Sequence, residues 1–230
     1  SQSLNASING TFEGIGITFT MVDDGAIVLD VYQDTPAKKA GILSGDIITH
    51  IEGTSIAGYS SDKVKEMIQG EKQSQVKLRL LRDGKVHEVT AVRQNVDTSV
   101  ASSIMTINHQ SVGYLRIVTF GENISENIEK ILQEMKAQNV EKIIIDLRDN
   151  SGGYLNAAQE ILDLFIPKGQ ILFSLEDKDG ESEEYKATSR EKYVFEQGYI
   201  FVNDQTASAS EVLSAGLKEN LGYLLVGETT

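Results

Sequence analysis

The chain has 230 residues, of which 40% are hydrophobic and 24% charged, enough for two modest domains, and its net charge of −13 argues against nucleic acid or an anionic membrane surface as partner. It contains no cysteine, which excludes a disulfide frame and a thiolate site, and it shows neither a signal peptide nor an apolar run long enough for a transmembrane helix. With Ser1 in first place rather than methionine, it reads as a processed or cloned segment.

Residues 1–11 are small and polar and predict an N-terminal segment with little order of its own. From 12 to 95 glycine-marked turns separate short strands, predicted at 15–21, 26–31, 46–51, 76–82 and 85–92. Asp83-Gly84 between the last two is a hairpin signal. Helices are predicted at 36–40, where Pro36 pre-sets the first turn, and at 61–68, where Val64, Met67 and Ile68 form one apolar stripe. The boundary with the next module falls near 94–108. From 111 onward strands and helices alternate: strands at 112–120, 142–147, 171–175, 199–203 and 223–226, helices at 124–136, 154–165 and 209–219. That rhythm predicts an α/β core over 96–230, a mainly parallel sheet covered by helices. The acidic stretch 176–192 predicts a solvated hairpin or lobe outside the sheet.

Two constellations carry chemistry. In Phe12-Glu13-Gly14-Ile15-Gly16-Ile17 a glycine between β-branched residues lets consecutive N–H groups of Ile15, Gly16 and Ile17 converge into an anion-binding nest at the start of an edge strand. A peptide could add there as an extra strand with its C-terminal carboxylate in the nest; by pattern alone the same residues could form an ordinary turn. The second constellation is a pair of loops after predicted parallel strands, Arg148-Asp149-Asn150-Ser151-Gly152-Gly153 and Asn203 to Ser208. Sites in open α/β sheets collect at the carboxyl ends of strands. Gly152 or Gly153 and Ala209 could present N–H groups to an oxyanion beside the Ser208 hydroxyl. Taken alone, the spacing of Ser208-x-x-Glu211 favours a capping box, and Gly152-Gly153 could be merely a tight turn.

Longer runs decide between these readings. Residues 35–53, "TPAKKAGILSGDIITHIEG", resemble the PDZ-domain pattern "PAxxAGxxxGDxIxxI(D/N)G". The resemblance implies a small β-rich barrel with two helices over 12–95, a carboxylate loop at Ile15, Gly16 and Ile17, and a groove walled by helix 61–68. The runs "KIIIDLRDNSGGYLNAAQEILDLFIP" and "YIFVNDQTASASEVLSAGLKENLGYLLVGETT" resemble the core of the C-terminal processing peptidases, serine proteases of family S41 that carry an inserted PDZ domain on a crotonase/Clp-like fold. The likeness covers nearly the whole chain in the right order.

It implies a Ser–Lys endopeptidase that recognises unstructured C-termini and needs neither metal nor cofactor. Ser208 matches the nucleophile of "(S/T)ASASE", with Ser210 as the competitor; Gly152, Gly153 and Ala209 match the oxyanion hole. The family's lysine lies in "VGE(x)TFGKG", which this chain follows only through Thr230, so that lysine would fall at position 233 and the 230-residue chain is expected to be inactive. Lys218 is ten residues along the helix from Ser208, about 15 Å at 1.5 Å per residue, too far to replace it. His50, His87 and His109 lie in no motif and read as ordinary surface residues. The implied partner is a polypeptide with a free C-terminus, the implied location extracytoplasmic, and a homo-oligomer is left open. The rival readings are a non-catalytic PDZ peptide-binding scaffold and a crotonase-like acyl-CoA enzyme.

Overall fold

The computed structural model describes residues 11–176, 178, 180–188 and 192–230. All but Thr11 of the N-terminal segment, and Asp177, Asp179 and residues 189–191 of the acidic stretch, lie outside them. The chain divides into two compact units that meet in sequence at Ser103 and Ile104.

The first unit is a strand-rich barrel-like module. Strand β1 (Thr11–Gly14) is paired antiparallel with β8 (Gln94–Asp97), Gly14 opposite Gln94, which ties the two ends of the module together. Between them run β2 (Ile17–Val22), β3 (Gly25–Val31), α1 (Pro36–Lys39), β4 (Ile47–Ile51), β5 (Thr54–Ser55), α2 (Ser61–Ile68), β6 (Gln75–Arg82) and β7 (Lys85–Val92). The sheet order is β2-β3-β4-β6-β7, with β5 beside β4. The β6–β7 turn takes positive φ at Asp83 and Gly84, 49° and 73°, the hairpin that the dipeptide signals. The strand expected from residue 15 starts at Ile17, because Gly16, with φ +84°, turns the chain just before it. Helix α2 buries Val64 and Ile68 against a core that includes Ile48, Ile51, Val76 and Leu80. Asp46 of the Gly-Asp pair is buried; its carboxylate takes Arg82 Nε at 2.6 Å and Nη2 at 2.7 Å and the Leu43 N–H at 2.9 Å, pinning the loop ahead of β4.

The second unit is the expected α/β core. Its elements are β9 (Val100–Ile107), β10 (Gln110–Ile117), α3 (Ile124–Ala137), β11 (Lys142–Asp146), α4 (Leu155–Phe165), β12 (Ile171–Glu176), β13 (Ser182–Lys186), β14 (Gln197–Val202), α5 (Ala209–Leu221) and β15 (Leu224–Gly227). The five-stranded sheet has the order β15-β14-β11-β10-β9, and the pairings β10–β11, β11–β14 and β14–β15 are all parallel. Helix α3 buries Ile124, Ile128, Ile131, Leu132 and Met135; at about 1.5–3 kcal/mol per buried apolar side chain, this stripe holds the helix more than its propensity does.

Three features differ from expectation or go beyond it. Residues 94–108, read as a boundary, hold β8 and β9, and β9 turns into β10 through Asn108 and His109 at φ 49° and 64°. Strand β12 pairs only with β13, in a two-stranded sheet of its own closed by the stacked rings of Phe173 and Tyr185, 4.7 Å apart. Tyr223 is buried edge-on against Phe165, whereas Leu224, Leu225 and Val226 are 51%, 40% and 46% exposed, so the apolar surface at this edge begins only at Leu224.

Candidate active site and peptide groove

In the first unit a cavity of about 390 Å³ opens between β2 and α2. The Gly14-to-Phe19 backbone forms one wall, and Ser61, Lys65, Ile68 and Gln69 the other. Ile15, Ile17 and Ile68 are buried, so its floor is apolar. Gly16 is required by geometry: a Cβ there would lie 2.4 Å from Thr35 Cβ, and its φ disfavours any side chain. The loop is tied to the module through its carbonyls, Ile15 O accepting from Ala37 N at 2.8 Å and Gly16 O from Tyr32 N at 3.1 Å. Its N–H side therefore faces away from α1. Arg93, absent from the sequence reading, clamps the far wall. Its guanidinium donates to Ile68 O (2.7 Å), Met67 O (3.1 Å), Gln75 O (2.8 Å) and Ser74 Oγ (2.9 Å), so a buried cation caps the carbonyl end of α2 without any carboxylate.

In the second unit the parallel pairing of β11 and β14 brings both glycine- and serine-bearing loops to one edge of the sheet. Side chains lace them together. Thr206 Oγ1 donates to Leu147 O at 2.9 Å, and Asn203 Nδ2 donates to Asp149 Oδ1 at 2.8 Å while Asn203 Oδ1 accepts from Asp149 N at 3.0 Å. Asn150 is the hub and is fully buried. Its Nδ2 donates to Ile117 O and its Oδ1 accepts from Gly152 N, both at 2.8 Å; its carbonyl accepts from Ala207 N at 3.1 Å and Ser210 Oγ at 3.0 Å. The turn-forming preference of Asn before Ser-Gly-Gly is the sequence signal for this role, and it went unread.

Ser208 is exposed at the start of α5 in a strained conformation, φ 57° and ψ −121°. Its N–H donates to Glu211 Oε2 at 2.9 Å, the glutamate arm of a capping box. The Glu211 N–H, however, hydrogen-bonds the Ser208 carbonyl at 2.9 Å, and the Ser208 side chain makes no cap hydrogen bond. Ser210, by contrast, is fully buried with its hydroxyl spent on Asn150. Gly152 stands directly against Ser208: a Cβ on it would meet Ser208 Cβ at 2.8 Å and Ala209 N at 3.0 Å. Its own N–H is committed to Asn150. Among the described residues the N–H groups of Gly153 and Ala209 make no hydrogen bond, so these two donors stay open, that of Ala209 next to Ser208 in the chain.

An ion pair between buried Asp146 and half-exposed Arg148 supports the first loop. Burial pushes the Asp146 carboxyl up, but hydrogen bonds from Arg148 and from Tyr114 OH (2.7 Å) outweigh it and hold it below the usual carboxylate range. Arg148 also lies over the Phe201 ring, 5.2 Å from its centroid. Beyond β15, Glu228 N donates to Val202 O at 3.2 Å, and Thr230 Oγ1 donates at 2.9 Å to Glu211 Oε1, the second oxygen of the carboxylate that holds Ser208. His50, His87 and His109 line neither the groove nor these loops. Among the described residues no cluster of His, Asp and Glu could hold a metal ion, and no helix is long and apolar enough to cross a membrane.

Both units of the chain are similar to known proteins. Peptidase family S41 matches residues 111–230, and the PDZ domain matches residues 14–92. All of this chain aligns with carboxy-terminal processing protease CtpB of Bacillus subtilis (strain 168), at 32% identity over 233 residues and 48% of that protein's length. CtpA of the same organism aligns at 32% identity over 231 residues and 49% of its length. The solved photosystem II D1 C-terminal processing protease superposes with a TM-score of 0.53 at 26% identity, covering 97% of this chain and 62% of that one. The chain thus spans about half the length of the curated relatives it matches. By its α/β core and the PDZ domain that precedes it, the chain belongs to peptidase family S41.

Proposed function

We propose that the protein of which this chain is part is a serine endopeptidase that captures unstructured polypeptide C-termini in its PDZ groove and cleaves through an acyl-enzyme. The observation that carries this reading is the exposed, strained Ser208 packed against Gly152, with the N–H groups of Gly153 and Ala209 uncommitted. Ser208 Oγ attacks the scissile carbonyl; its proton passes to a base and then to the leaving amine. The oxyanion is held by Gly153 N–H and Ala209 N–H, with Gly152 kept side-chain-free so that Ser208 can approach. Water then releases the acyl group.

The base is a lysine at position 233, beyond the 230 residues. The Glu211 carboxylate supports this placement, because one oxygen holds Ser208 and the other holds Thr230. Three further residues reach at most about 10 Å from that anchor, a distance that keeps a lysine side chain there within range of the nucleophile. Desolvated there, the amine loses its charge and accepts the serine proton. The absence of cysteine suits the extracytoplasmic compartment in which we place it.

The test compares three proteins on an unfolded, apolar-tailed substrate by mass spectrometry: the 230-residue chain, a version extended past position 233, and Ser208→Ala in the extended version. Of these three only the unsubstituted extended protein should cleave; a fourth, Ser210→Ala in the extended version, should retain measurable turnover at a stability cost of about 1 kcal/mol. Equal cleavage by the short and extended proteins would refute the lysine. Robust activity in Ser208→Ala would refute the nucleophile, and no cleavage by any of them would favour the peptide-binding scaffold.

A further inference from the structure

The groove between β2 and α2 carries more information than capture of a carboxylate, and the following deepens, and rests on, its reading as a peptide site. The carbonyl end of α2 lies beside the Gly14–Ile17 loop, because Arg93 binds Met67 O and Ile68 O while the next residue, Gln94, pairs with Gly14. A peptide whose terminal carboxylate sits in the loop therefore places its last side chain next to Ile68, on the apolar floor of Ile15, Ile17 and Ile68. Moving back along α2 at 1.5 Å per residue, Lys65 lies about 4.5 Å and Ser61 about 10.5 Å from the level of Ile68.

An added strand rises about 3.3 Å per residue and alternates its side chains, so the last and the third-from-last face α2 together. The third-from-last side chain, about 6.6 Å back, falls between Lys65 and Ser61. Lys65 is exposed, and among the described residues its ammonium has no ion-pair or hydrogen-bond partner, whereas neighbouring Lys63 is paired with Glu66 at 3.1 Å. None of the residues lining the groove is acidic. A cation thus stands without counter-charge at one level of a cleft whose other lining residues are uncharged, in a chain of net charge −13.

We propose that this groove selects C-termini ending in an apolar residue with Asp or Glu two positions before it, and that Lys65 is the specificity-determining residue. The incoming carboxylate pairs with the Lys65 ammonium and takes the Ser61 hydroxyl as a second donor. The pair stays partly solvated, so it discriminates between tails rather than supplying most of the affinity.

The test titrates the 230-residue protein with fluorescein-labelled ten-residue peptides ending Glu-Ala-Val, Gln-Ala-Val or Lys-Ala-Val, each as free acid and as amide, by fluorescence anisotropy. The Glu acid should bind about two- to five-fold more tightly than the Gln acid, the range of an exposed ion pair, and the Lys acid most weakly. Lys65→Glu, a substitution at an exposed position that leaves the core untouched, should reverse the order of Glu and Lys. Equal binding of acids and amides would overturn the carboxylate loop and this inference with it. Acid-dependent binding with no difference among the three tails would overturn the specificity alone. A Glu preference that survives Lys65→Glu would overturn the assignment to Lys65.

Discussion

Gly152→Ala isolates the contact on which the arrangement around Ser208 depends. The glycine has φ +102°, and an added Cβ would stand 2.8 Å from Ser208 Cβ, 2.9 Å from Ala207 O and 3.0 Å from Ala209 N. Ordinary carbon–carbon contact needs about 3.5–4.0 Å, so one loop must retreat by roughly 1 Å. It cannot do so freely, because Asn150, Thr206 and Asn203 bind the loops to each other. A side chain at positive φ costs about 1–3 kcal/mol and the overpacking a similar amount, for a total of about 2–5 kcal/mol. At about 4 °C per kcal/mol this lowers Tm by on the order of 10 °C. Thermal melting followed by far-UV circular dichroism reports mainly the long helices α3, α4 and α5 of this unit. Gly121→Ala is the control, since a Cβ there meets nothing within 4 Å, and its shift should stay within about 0.5 kcal/mol. If Gly152→Ala melts with the control, the close approach of the two loops is wrong. In the extended protein the same 1 Å displacement should cost about 100-fold in turnover even where the fold survives.

The Asp146–Arg148 pair predicts acid sensitivity of a defined sign. The folded-state carboxyl titrates below its unfolded value, so its stabilisation is complete above the usual carboxylate range, about pH 4, and is lost as pH falls through the folded value. Asp146→Asn should cost about 1–3 kcal/mol at neutral pH, discounted because Arg148 is half-exposed, and the difference from the parent should shrink on acidification; a pH-independent difference in urea unfolding would contradict it. Arg93→Lys should destabilise the first unit by about 2–4 kcal/mol and weaken peptide binding, since an ammonium cannot reach the four acceptors that the guanidinium fork spans; unchanged urea unfolding and affinity would contradict the clamp.

Local rules determined much of this protein from its sequence alone. The period of α3, the Asp83-Gly84 turn and the unbroken apolar run of β11 each rest on neighbours a few residues apart, and each is found where those patterns place it. The long runs around the Gly-Asp and Ser-Gly-Gly segments likewise carried the family and its two modules. What pattern left undecided was the competition between equal local readings. Ser208 and Ser210 stand two residues apart on one small-residue run, and Ser208-x-x-Glu211 spells a cap and a nucleophile alike. The two hydroxyls differ in surroundings: Asn150, 60 residues away in sequence, takes that of Ser210, while Ser208 is exposed, which supports the proposed choice of Ser208. The same holds for β9, concealed in a stretch that reads as a module boundary, and for Arg93, whose four acceptors come from α2, β6 and the turn between them. A hydrogen bond across dozens of residues has no period and no spacing, so only the tertiary structure decides which polar group is satisfied and which is left to act.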